Sequence, residues 1–125
     1  MARVLTVGGV FFKSEDPKTL GEWYQEWLGM PVEHPYGASL PPENLPAGTL
    51  AVWSPFAADT EYFHPSSQPF MINLVVDDLE GALAQVQQGG AKQVGKIEDY
   101  EYGRFAWFLD PEGNKVELWQ PKDTR

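Results

Sequence analysis

The stretch GRFAWFLDPEGNKVELWQP, Gly103 to Pro121, decides the fold. Its centre, Asp110-Pro111-Glu112-Gly113, carries the residue types of a tight turn between two runs rich in aromatic and β-branched side chains. The pattern predicts a hairpin whose strands are GRFAWFL and NKVELW. Alternation along the second strand puts Lys115, Glu117 and Trp119 on one face and Val116 and Leu118 on the other. The turn sets Trp107 opposite Glu117 and Phe105 opposite Trp119. A carboxylate inside such an apolar strand is a metal ligand, a catalytic acid or base, or a solvated edge residue.

Two helices precede this hairpin. Asp16 reads as an N-cap and Pro17 as the first helical residue, where a missing N–H costs nothing. Leu20, Trp23, Tyr24, Trp27 and Leu28 then fall on one face, and Gly29 supplies the stop. Asp78 caps a second helix with Leu79, Ala82, Leu83 and Val86 on its apolar face, ended by Gly89-Gly90. Each helix follows an apolar strand-like run, VLTVGGVFFK in one case and FMINLVVDD in the other.

The chain is thus written twice. Aligning the caps pairs Val10 with Ile72 and Phe12 with Leu74. The later segments PYGASLPPENLPAGTLAVWSP and EYGRFAWFLDPEGNKVELWQP lie over each other without a gap, Tyr36-Gly37 on Tyr102-Gly103, Trp53 on Trp119 and Pro55 on Pro121. Self-similarity of this length marks a duplicated unit. We expect one domain, residues 1–125, with modules 1–56 and 70–121 joined by a linker, 57–69. Pro41, Pro42 and Pro46 make the third strand of the first module short, an edge strand or a loop.

Composition narrows the function classes. The 125 residues are 42% hydrophobic and 14% aromatic, as a globular chain requires. There is no cysteine, which excludes disulfides, thiol nucleophiles and thiolate metal sites and suits a cytoplasmic location. A net charge of −9 disfavours nucleic acid and anionic membrane as partners. The acidic residues are scattered, the pattern of a solvated surface.

The segments SEDPKTLGEWYQEWLGMPV, INLVVDDLEGALAQVQQGGA and GRFAWFLDPEGNKVELWQP resemble those of the vicinal oxygen chelate superfamily, the glyoxalase/bleomycin-resistance/dioxygenase proteins. The resemblance implies an α+β fold of two tandem βαβββ modules, with mixed sheets curled around a shared cavity and helices outside. It also implies that metal-dependent members draw ligands from the first and fourth strands of each module. By the repeat those positions are Gly9, Ala51, Met71 and Glu117, and Glu117 alone among them suits a hard divalent ion. A catalytic metal takes about three protein ligands with a position left open. The expectation is therefore no metal cofactor, a divalent ion being the alternative. His34 and His64, each before a proline, read as loop residues.

With Glu117 facing inward, Phe11, Trp53, Met71, Asn73, Phe105, Trp107, Glu117 and Trp119 form an aromatic-lined ligand cavity. Lys13, Lys115 and Arg104 are further polar points around it. Val10, Phe12, Ile72, Leu74, Val116 and Leu118 point toward the helices as core. Such a cavity suits a small organic molecule, aromatic or cationic. Glu117 is then an acceptor that orients the ligand, a partner of Lys115 or Arg104, or a catalytic acid or base. The reading is a metal-free small-molecule binding protein, a homodimer by resemblance to the superfamily's drug-binding members. The alternative is a lyase, isomerase or dioxygenase with an atypical metal or general-base site centred on Glu117.

Overall fold

A computed structural model describes residues 1–3 and 5–122. Helix α1 spans Pro17–Leu28, and the second half contributes strand β1 (Ile72–Val75), helix α2 (Leu79–Gln88) and strands β2 (Lys92–Tyr100), β3 (Gly103–Leu109) and β4 (Lys115–Pro121). The sheet order is β1-β4-β3-β2, with β1 parallel to β4 and the other pairings antiparallel. This is a small α+β fold, and its second half is the expected βαβββ module. Among the described residues no helix is long and apolar enough to cross a membrane.

The helices form where their capping residues dictate. The Asp16 carboxylate accepts from the Thr19 N–H at 3.1 Å and the Thr19 hydroxyl at 2.8 Å, and Gly29 closes α1 at φ 65°. The Asp78 carboxylate caps α2 through the Gly81 N–H at 3.1 Å. The helices are tied side by side, with Trp23 Nε1 donating to the Gly89 carbonyl at 2.8 Å and Gln85 Nε2 to the Trp27 carbonyl at 2.7 Å.

One face of the sheet packs on these helices. Ala106, Phe108, Val116 and Leu118 meet Leu20, Tyr24, Leu79, Leu83 and Val86 in a single buried cluster, with Leu74 packed against it. The β3–β4 turn is fixed by Asp110, whose Oδ1 accepts from the Glu112 and Asn114 N–H groups, each at 2.9 Å. Its Oδ2 accepts from Tyr24 Oη at 2.9 Å and Asn114 Nδ2 at 3.0 Å, so α1 is locked to the turn. Glu112 reaches the entry to α1, accepting from the Ser14 hydroxyl at 2.8 Å and from the Glu15 and Asp16 N–H groups.

The first half departs from expectation. Apart from α1, its described residues form a short 3-10 turn, Pro42–Asn44, and an isolated bridge between Val32 and Ala38, with no strand. Val10 and Phe12, expected in the core, are 60% and 41% exposed. The cause is the lack of a ladder partner. A strand is held by its neighbours, the three prolines remove donors, and the Gly8-Gly9 pair adds backbone freedom without side chains to pack. Among the described residues the four-stranded sheet takes no strand from this half, so the alternation pattern there goes unused.

Candidate functional site

The hairpin register follows from the turn. Across β3 and β4, Trp107 pairs with Glu117 and Phe105 with Trp119, while Asn73 of β1 pairs with Glu117 from the other side. Three strands therefore bring one carboxylate, one amide and three large rings onto the face of the sheet away from the helices. Gly103, where β3 begins, has φ 153°, and a Cβ there would clash with Trp119 Nε1. Glycine at 103 leaves the indole room to lie along the hairpin.

Glu117 is the centre of this face. It is 8% exposed, and both carboxylate oxygens are engaged. Oε1 accepts from Asn73 Nδ2 at 2.6 Å; Oε2 accepts from Trp107 Nε1 at 2.9 Å and from the Tyr62 hydroxyl at 2.5 Å. A buried carboxylate needs either a cation or several donors, and here it has neutral donors. Arg104 instead pairs with Glu80 at 2.5 Å and with Asp99 at 3.7 Å. Lys115 Nζ donates to the Tyr62 carbonyl at 2.6 Å and stands 5.1 Å from the Tyr62 ring and 5.9 Å from that of Trp107. Burial holds the Lys115 amine below its usual range, against the opposing pull of Glu117 and Glu98.

Tyr62 is the residue that sequence reasoning missed. It belongs to the segment read as a linker, whose low strand signal gave no reason to place it in a site. A Tyr62-Phe63 aromatic pair amid polar residues is the one feature that marked it. Its ring stacks on Phe56 at 5.6 Å and 12° and stands edge-on to Trp107 at 6.3 Å and 89°. Burial, then the hydrogen bond to Glu117 and the charge of that carboxylate, push the phenol well above the ordinary tyrosine range. It is a neutral donor at any physiological pH.

The remaining rings continue the face. Phe105 lies parallel to Trp119 within 7° at 6.0 Å, and within 18° of Trp107 at 6.4 Å. Tyr100 and Tyr102 stack at 5.5 Å and meet Phe105 edge-on. Of the eight expected cavity residues, Asn73, Phe105, Trp107, Glu117 and Trp119 are brought together. Phe11 and Trp53 are not, being 97% and 80% exposed on strandless segments. Met71 is half-buried just before β1. His34, His64 and Lys13 are exposed and make no side-chain hydrogen bond among the described residues. Two shallow concavities lie elsewhere, one of about 240 Å³ lined by Leu28, Val76, Asp77, Asp78, Ala82 and Gln85, and one of about 140 Å³ around Tyr36.

The donor set does not fit a divalent ion. Gly9 and Ala51 offer no side-chain ligand, and the Glu117 oxygens are taken up by three donors that would have to leave. Among the described residues no group of three or more His, Cys, Asp or Glu is placed to hold a metal. What the arrangement can do is present parallel rings and an oriented acceptor.

The sequence profile described as a Glyoxalase-like domain matches residues 9–119, so the chain belongs to that family. Solved structures share the fold at low identity. An antibiotic-binding protein, TnmS3, from Streptomyces sp. CB03234 is 23% identical at a TM-score of 0.51, over 86% of this chain and 88% of that one. The oxidase ChaP-H2 is 19% identical at 0.56, over 89% of each chain. A glyoxalase/bleomycin resistance protein/dioxygenase superfamily member from Sphaerobacter thermophilus is 17% identical at 0.52, over 96% and 98%. No curated protein matches the chain.

Proposed function

We propose that this member of the glyoxalase-like family is a small-molecule binding protein that takes a planar aromatic ligand, without a metal, on the sheet face beside Glu117. The observation that carries the reading is the set of near-parallel rings, Phe105 with Trp107 and Trp119, around a buried carboxylate held by neutral donors. Rings of this kind supply apolar area and stacking, and a few fixed polar groups supply orientation. The antibiotic-binding function named for one fold neighbour accords with it.

The same reading makes the protein a homodimer. Val10, Phe11, Val52 and Trp53 are exposed, more apolar surface than an isolated small domain carries comfortably. Among the described residues the outer edge of β1 is also unpaired, β4 lying on its other side. A second copy covers both and adds walls to the ligand face.

Calorimetric titration of chelator-treated protein with indole, a neutral planar probe, tests the binding claim. Saturable binding that is weakened by Trp119→Ala supports it, and the absence of saturable heat contradicts it. An enzyme using Glu117 as general acid or base is the second reading, favoured by the 2.5 Å contact with the Tyr62 hydroxyl. It demands a turnover that Glu117→Gln abolishes.

A further inference from the structure

Tyr62 occupies the ligand face as a ligand would. Its hydroxyl donates to Glu117 Oε2, its ring is held between Phe56 and the edge of Trp107, and Lys115 Nζ lies over it. Each of these contacts is made to the phenol ring or its hydroxyl. Its two backbone ties, from Lys115 Nζ to the Tyr62 carbonyl and from the Tyr62 N–H to the Thr60 hydroxyl, survive if the side chain swings out or is removed. Tyr62 is 40% exposed while the carboxylate beneath it is 8% exposed, so the phenol covers the site from outside. It comes from the segment between the halves, in which no strand constrains it.

We propose that Tyr62 is an internal stand-in for the ligand, and that the site recognises a neutral phenol, whose hydroxyl takes the place of the Tyr62 hydroxyl on Glu117. This inference rests on the aromatic-binding reading above and names the ligand class. The Glu117 oxygens accept and do not donate, so they select a hydroxyl over an ether or a bare ring. Trp107 Nε1, bound to the same oxygen, holds the acceptor in place for it. Lys115 over the ring face favours an electron-rich ring and opposes a cationic ligand.

The test uses Tyr62→Ala, which removes a side chain equivalent to 4-methylphenol, and follows the Trp107 indole N–H resonance during titration. The hydrogen bond to Glu117 is open to 4-methylphenol and closed to toluene, so 4-methylphenol must bind at least about tenfold tighter than toluene. Adding Glu117→Gln must narrow that preference. Equal affinity for the two probes overturns the phenol inference and leaves aromatic binding standing. Binding of neither probe by the folded variant overturns it too, and if wild type also fails to bind indole the broader reading goes with it. Should Tyr62→Ala not fold, Tyr62→Phe serves, because it keeps the ring and removes the competing hydroxyl. Tighter 4-methylphenol binding than to wild type supports the inference, and unchanged affinity overturns it.

Discussion

Trp107 and Glu117 face each other across β3 and β4, and the indole Nε1 of one donates to the carboxylate Oε2 of the other at 2.9 Å. Both are buried, so the bond is shielded from water on a face otherwise made largely of rings, with Asn73 and Lys115 beside them. The pair fixes where the acceptor points and fixes the plane of the indole.

Removing the acceptor leaves the buried Trp107 donor unpaired. Glu117→Leu should cost about 1–3 kcal/mol in a urea melt, the penalty of an unsatisfied buried group. Glu117→Gln, which keeps one acceptor oxygen, should cost less.

The two faces of β3 and β4 should respond differently. Phe108, fully buried under the helices, should lose about 3–5 kcal/mol on truncation to Ala. Trp119→Ala should instead weaken indole binding, by up to roughly tenfold if the stack contributes about 0.5–1.5 kcal/mol. Denaturation and calorimetry on the same two variants separate core from site.

Alkaline stability should follow Tyr24. Burial, and then the charge and hydrogen bond of Asp110, raise its ionisation far above that of an unfolded tyrosine. Its contribution is complete below about pH 10, the unfolded value. Above that pH the unfolded chain releases a proton that the folded one keeps. Stability should then fall by about 1.4 kcal/mol per pH unit from this residue, and Tyr24→Phe should remove that part of the slope.

Glu112 gives the acidic counterpart. Burial raises its ionisation, but the donors from Ser14, Glu15 and Asp16 outweigh this and hold it below its ordinary value of 4.5. The stabilisation is present above that value and lost as the pH falls through the folded one. Glu112→Ala should therefore destabilise the protein at pH 7 by no more than about 1 kcal/mol once solvent screening is counted, and its difference from wild type should shrink as the pH is lowered below 4.5, as read by thermal melts.

The second half of the chain was legible because its signals are local. Asp78, the Asp110–Gly113 turn and the alternation from Lys115 to Trp119 each act within a few residues, and they set the register that brings Phe105, Trp107 and Trp119 together. The first half carries the same patterns in VLTVGGVFFK and GTLAVWSP, but a strand needs a ladder partner, and these segments find none among the described residues. That is why Val10, Phe12, Phe11 and Trp53 did not reach the positions the repeat assigned them. Tyr62 was hidden for a different reason. A side chain delivered by an irregular loop has no period, and its contact with Glu117 spans 55 residues of sequence.

The central claim is ligand binding without a metal, and calorimetry of chelator-treated wild-type protein with indole tests it most directly. The account predicts saturable binding, at one site per chain, that is unchanged when a divalent ion is restored. No binding until the ion is added would contradict it.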